Sequence, residues 1–197
     1  LAVSSWDTSS VKSMTAMFMY ARNLESLDVS SWDTSRVENM SFTFDLAKNL
    51  KNLDVSSWDT SRVRNMNSMF AYSDGLRSLN LSSWDTSSVT HMDEMLTGTP
   101  NLKSLTLGPT FTFNKNGSNS NLPNIKSDET YTGKWVQAED SSIEFSSSAD
   151  FMLGYDGSKP GTYIWGKKDV SGNWGDGGSY SVTGGTLTLS GTVNNPL

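Results

Sequence analysis

Each stretch of 26 residues in the first half of the chain changes its hydrophobic rhythm twice. In the segment SLDVS, Ser26 to Ser30, apolar and polar residues alternate, which puts Leu27 and Val29 on one side of a short strand and Asp28 on the other. After the turn-rich SSWDTS, the residues Val37, Met40 and Phe44 follow at spacings of three and four, and Ser35 and Glu38 stand as a capping box. That spacing predicts a short helix or helical turn. Leu50, three residues before Leu53, closes the unit and returns the chain to its next strand.

The tryptophans Trp6, Trp32, Trp58 and Trp84 fix the interval at 26 residues, and Val11, Val37, Val63 and Val89 repeat it. So do Met14, Met40, Met66 and Met92. One unit cannot bury its own apolar side, so the units are expected to stack as a solenoid of short parallel strands and short helices. Each tryptophan buried in this way removes about 150 to 250 Å² from water, worth roughly 4 to 6 kcal/mol before entropy. Residues 1–108 read as four such units plus the start of a fifth, LTLG. Residues 109–130 read as a cap and linker, with Thr97, Gly98 and Pro100 marking the end of the fourth helix.

Beyond that point the composition changes: 12 of the 16 glycines lie between Gly133 and Gly191, and no arginine follows Arg77. The short runs KWVQ, SIEF, TYIW, SYSV and TLTL, separated by turn signals such as Asp156-Gly157 and Pro160-Gly161, predict a small mostly-β module over residues 131–197. Ser147 to Tyr155 reads as one short helix.

The net charge of −6 gives no basic footprint for nucleic acid. The absence of cysteine removes disulfides and thiolate chemistry. No apolar run is long enough to cross a bilayer. No Ser-His-Asp set, G-x-S-x-G or phosphate loop is present, so the chain is not expected to be an enzyme or to hold a cofactor or metal. Leu1 starts inside a repeat, so export signal and anchor are expected outside this fragment.

The units LDVSSWDTSRVENM and LDVSSWDTSRVRNM, each followed by a Met or Thr and then Phe, resemble the 26-residue surface repeat of the BspA-like leucine-rich-repeat proteins of Gram-positive bacteria. YTGKW at Tyr131 to Trp135 and GTYIW at Gly161 to Trp165 resemble the module that follows such repeats. The resemblance implies an α/β leucine-rich-repeat-type right-handed solenoid displayed on the bacterial cell surface. It also implies adhesion to host mucus, extracellular matrix or other cells. A passive structural stalk, or a carbohydrate-binding module in residues 131–197, stays open beside it.

Candidate binding residues follow from the outward strand positions. Asp28, Asp54, Asn80 and Thr106, preceded by Ala2, would line the concave face of such a solenoid and meet a mucin, matrix protein or cell-surface glycoprotein. Trp135, Trp165 and Trp174 are the candidates for stacking on sugar rings. Asp7, Asp33, Asp59 and Asp85, each next to a tryptophan, read as turn residues that accept backbone N–H groups.

Overall fold

Alternation in SLDVS makes strands only where a neighbouring repeat supplies partners. The computed structural model describes residues 2–113, 119–174, 178–183 and 186–191. Strand β1 (Ser26–Leu27) pairs in parallel with β2 (Asn52–Leu53), Leu27 opposite Leu53. Strand β3 (Ser78–Leu81) pairs in parallel with β4 (Ser104–Leu107), Leu79 opposite Leu105. Partners differ by one repeat, so identical side chains sit over one another. The rings of Trp32 and Trp58 stack with centroids 6.2 Å apart and 3° between planes, and those of Phe44 and Phe70 with 5.6 Å and 3°. Each buried indole also donates its Nε1–H to the preceding repeat: Trp32 to the Val3 carbonyl, Trp58 to Val29 and Trp84 to Val55, at 3.0, 3.2 and 3.0 Å.

The α/β leucine-rich-repeat solenoid expected from the sequence is corrected here. Strands predominate, and among the described residues the one helix, α1 (Ser148–Gly154), lies outside the repeats. Val37, Met40 and Phe44 are buried as their spacing requires, but on a turn-built arc. The backbone shows why. In a helix each N–H would bond four residues back within its own segment. Here alternate N–H groups cross to the next repeat instead: Met40 to Asn65, Phe42 to Asn67, Phe44 to Met69 and Leu46 to Ala71, at 2.8 to 2.9 Å. The groups between them close tight turns, Asp45 to Phe42 and Ala47 to Phe44. The predicted capping box is not formed, since Glu38 donates its N–H to Lys12 of the preceding repeat.

Turning alternate amides toward one neighbour needs left-handed backbone at two positions per arc. Ala16, Phe42, Ser68 and Glu94 hold one, and Tyr20, Leu46, Tyr72 and Gly98 the other, with φ between 53° and 66°. A non-glycine residue pays about 1 to 2 kcal/mol there. The crossing bonds, together with the buried apolar side chains on the same arc, offset that cost. Parallel bridges through Ser13, Asn39, Asn65 and His91 continue the same pairing, so His91 belongs to this ladder.

The ladder outlasts the sequence motif. Past Gly108, Thr86 donates its N–H to the Thr110 carbonyl at 3.1 Å, Glu94 to Asn119 at 2.7 Å and Leu96 to Ser120 at 2.8 Å. Strand β7 (Gly161–Lys167) then lies antiparallel beside β4, with Leu105 opposite Tyr163. Strands β5 (Tyr131–Gln137) and β6 (Glu144–Phe145) complete the order β3-β4-β7-β5-β6. One sheet therefore runs from the repeats into the second half.

The space under this sheet is aromatic. Phe151 of α1 packs on Tyr163 at 4.7 Å, Phe145 at 4.9 Å and Phe113 at 5.4 Å between centroids. Ser147 caps α1 by accepting the Asp150 N–H at 3.0 Å, as an N-terminal serine does. The Tyr155 hydroxyl donates to the Gly108 carbonyl at 2.9 Å and ties the helix end to the last repeat. Strands β8 (Val170–Trp174), β9 (Gly178–Thr183) and β10 (Thr186–Ser190) form a separate antiparallel sheet.

Candidate interaction surface

Strand alternation sends Leu27 and Val29 inward and leaves Asp28 exposed, and Asp54 and Asn80 follow at the same slot in the next repeats. Each is anchored in the same way. Asp28 Oδ1 accepts the Ser30 N–H at 3.2 Å and its hydroxyl at 2.7 Å. Asp54 Oδ1 accepts the Ser56 N–H at 3.0 Å and its hydroxyl at 2.6 Å, and Asn80 Oδ1 accepts the Ser82 N–H at 3.1 Å. A local turn thus fixes the direction of each side chain. The Ser30 hydroxyl and N–H hold the Asp28 carboxyl below the usual carboxylate range, against the smaller upward push of burial and of the like charge on Asp54. Ser56 lowers Asp54 likewise. Both are anions at neutral pH, carried one repeat apart.

A shallow groove of about 420 Å³ lies along this face, lined by Asp28, Ser30, Lys51, Asn52 and Asp54 among others. Lys51 reaches back one repeat to Glu25 at 3.1 Å, so a mixed-charge rim runs beside the anionic row. Sequence reasoning passed over Lys51 and Asn52. Lys51 stands just before its strand, in the slot it shares with Glu25, Arg77 and Lys103, and Asn52 opens the strand itself.

Thr106 does not continue the open row. Its hydroxyl sits 3.1 Å from that of Thr162, because β7 covers β4 at this point. The exposed positions are Asp28, Asp54 and Asn80, with Ala2 exposed at the preceding slot.

The second candidate set is divided by burial. Trp135 is fully buried, donates its Nε1–H to the Ser148 hydroxyl at 3.0 Å and packs on Phe151 at 5.3 Å, which leaves no ring face for a sugar. Trp165 is half-buried against the edge of Tyr131, and the Lys103 ammonium lies 4.8 Å from the centroids of both rings. Its face is therefore engaged by a cation, an arrangement worth about 0.5 to 2 kcal/mol. Trp174 falls in β8, and its side chain lies outside the described residues.

The carboxylates beside the tryptophans act in turns: Asp7, Asp33, Asp59 and Asp85 each accept the N–H two residues on, at 2.8 to 3.0 Å. The neighbouring threonines are stitches between repeats. Thr8, Thr34 and Thr60 donate their hydroxyls to the carbonyls of Asp33, Asp59 and Asp85 at 2.9 to 3.1 Å.

Among the described residues no group of three His, Cys, Asp or Glu side chains is placed to hold a metal ion. No helix there is long and apolar enough to cross a membrane. No curated protein and no solved structure matches the chain. A family model does match, over residues 1–108, the stretch that contains the tryptophan repeats and the whole anionic row. On that match, which covers more than half of its length, the chain belongs to the family described as Mycoplasma protein of unknown function, DUF285.

Proposed function

We propose that this chain is a cell-surface adhesion or interaction protein of bacterial origin, and that it binds its partner through the outward face of β1, β2 and β3. The partner is a mucin, a matrix protein or another cell-surface glycoprotein. One observation carries the reading: Asp28 and Asp54 stand exposed, ionised and turn-anchored, one repeat apart, above a groove that Lys51 and Asn52 share. A row of fixed side chains at a regular interval suits a partner met by many modest contacts over an extended area, with a few anchors dominating. Several copies on one cell would add avidity without tight affinity at any single site. The resemblance of the repeats to BspA-like surface repeats supports the placement outside the cell.

The test replaces Asp28→Asn, Asp54→Asn and Asn80→Ser together. Asparagine and serine keep an oxygen for the local turn, so the fold is retained while the charges go. Adhesion of the variant to immobilised mucin and to matrix protein should fall, with an unchanged circular dichroism spectrum. Adhesion equal to that of the unmodified chain would remove this face and leave a spacer role.

A further inference from the structure

A second cleft, of about 630 Å³, opens where the third and fourth repeats meet residues 119–124 and α1. That volume falls within the about 300 to 1,000 Å³ range of small-ligand sites. None of its lining residues belongs to the groove on the strand face.

One wall is Tyr72. It occupies the slot held by Tyr20 and Leu46 in earlier repeats and by Gly98 in the next. Its backbone is fixed in the left-handed region at φ 55°, and its N–H donates to the Thr97 carbonyl at 2.7 Å. The ring is packed so closely on Gly98 that a Cβ there would fall 2.4 Å from Cδ1. Only glycine admits the ring at that spot. Tyr72 nevertheless remains 46 % exposed. A ring seated on backbone and open to solvent is a stacking platform that loses little entropy when it is covered.

Leu122, Pro123 and Met152 also line the cleft, with Asp74, Asn119, Asn121 and Asn124 among its polar groups. The Asn119 side chain and the Asn121 backbone are arranged in advance. Asn119 donates its N–H to Asp93 Oδ1 at 3.1 Å and accepts the Asn121 N–H on its own Oδ1 at 3.0 Å, while Asn121 is held at φ 51°. An asparagine side chain offers one acceptor and two donors, the complement of neighbouring hydroxyl groups that each give and take a hydrogen bond.

Two observations narrow the ligand. Among the described residues that line the cleft the one charged side chain is the carboxylate of Asp74, which disfavours an anion. Where the two repeats and residues 119–120 run side by side their backbones pair with each other, Tyr72 to Thr97, Glu94 to Asn119 and Leu96 to Ser120, so those segments offer a peptide no edge to extend. A neutral molecule with an apolar face and hydroxyls on its rim fits what is left.

We propose that this cleft is a saccharide-binding site in which a pyranose ring stacks on Tyr72 and its hydroxyls are read by Asn119, Asn121, Asn124 and Asp74. It lies at the end of the repeats, apart from the tryptophans to which sequence reasoning assigned sugar contact.

The probes are the methyl glycosides of glucose, galactose, mannose, N-acetylglucosamine and N-acetylgalactosamine, added to the full chain and read by saturation-transfer NMR. At least one should receive saturation, strongest on the C–H protons of one ring face. Tyr72→Ala should weaken its binding about tenfold or more, Tyr72→Phe should retain it, and Asn124→Ala should weaken it. Asn124 is exposed, so that variant is read in an intact fold even if Tyr72→Ala melts early. Absence of transfer to every glycoside overturns the proposal, and so does transfer that survives both Tyr72→Ala and Asn124→Ala.

Discussion

The indole N–H of Trp58 donates to the carbonyl of Val29, 29 residues earlier, at 3.2 Å, while its ring stacks on Trp32. One side chain thus fills the interior and satisfies the backbone of the neighbouring repeat. Trp58→Ala removes both and should cost about 3 to 5 kcal/mol in urea unfolding. Trp58→Phe keeps a ring and removes one of the two donors to the Val29 carbonyl, which retains the Trp32 N–H at 3.1 Å, for about 0.5 to 1.5 kcal/mol. Trp6, 50 % exposed, is the internal control: Trp6→Ala should cost about 1 kcal/mol or less.

Thr60 makes two bonds to one residue of the next repeat, donating its hydroxyl to the Asp85 carbonyl at 2.9 Å and accepting the Asp85 N–H at 2.9 Å. Thr60→Val preserves shape and strands both backbone groups, so a loss of about 1 to 3 kcal/mol is expected. Thr60→Ser keeps the hydroxyl and gives up one buried methyl group, about 1 kcal/mol. Chemical denaturation of the pair separates hydrogen bonding from packing.

The interval of 26 residues is legible in the sequence as a register, since Leu27 falls opposite Leu53 and Leu79 opposite Leu105. The outward direction of Asp28 and Asp54 is legible too, because alternation needs only local backbone. The arcs are another matter. Val37, Met40 and Phe44 satisfy a helical spacing equally well on a bent segment, and what decides is whether Phe42 and Phe44 donate within the arc or to Asn67 and Met69. No local signal carries that choice. Thr106 was misplaced for the same reason: its partner Thr162 lies 56 residues away. Trp135 and Trp165 look alike in the sequence, and only the packing of α1 and β7 makes one a core residue and the other a rim residue.

Asp45 carries a buried carboxyl whose Oδ1 has no hydrogen-bond partner among the described residues. Burial pushes it above the ordinary value of 3.8, the charge of Glu94 adds to this, and the Leu46 N–H pulls the other way. The native state therefore holds this proton more tightly than the unfolded chain. Its favourable contribution is complete below 3.8 and is lost as pH rises through the higher native value. Asp45→Asn should raise Tm at neutral pH, with the gain shrinking as pH falls toward 4.

The exposed carboxylates act in the opposite sense. Hydrogen bonds from Ser30, Ser35 and Ser56 lower Asp28, Asp33 and Asp54. Their contribution is present above 3.8 and disappears as pH falls through their lower native values. Melting curves below pH 4 should show a loss of stability that Asp28→Asn and Asp54→Asn make shallower. Unchanged acid sensitivity in that double variant would detach these turns from stability.

At Gly108 the chain passes so close to the fourth repeat that an added Cβ would lie 1.8 Å from the Ser82 carbonyl oxygen. The neighbouring atom is backbone, so relief requires β4 to move away, and with it the Gly108 carbonyl that Tyr155 holds at 2.9 Å. Gly154 makes the useful contrast. A Cβ there meets Phe145 Cε1 at 2.9 Å, a side-chain atom of a half-buried ring and not backbone, so a small shift of the ring relieves it. Gly108→Ala should therefore cost about 3 kcal/mol or more, and Gly154→Ala about 1 kcal/mol or less. Since β7 pairs with β4, the damage should spread along the shared sheet. Hydrogen exchange should show Gly161–Lys167 and Tyr131–Gln137 losing protection in Gly108→Ala before the arcs around Phe44 do. Equal loss in both regions would mean that the second half contributes no separate unit of stability at this seam.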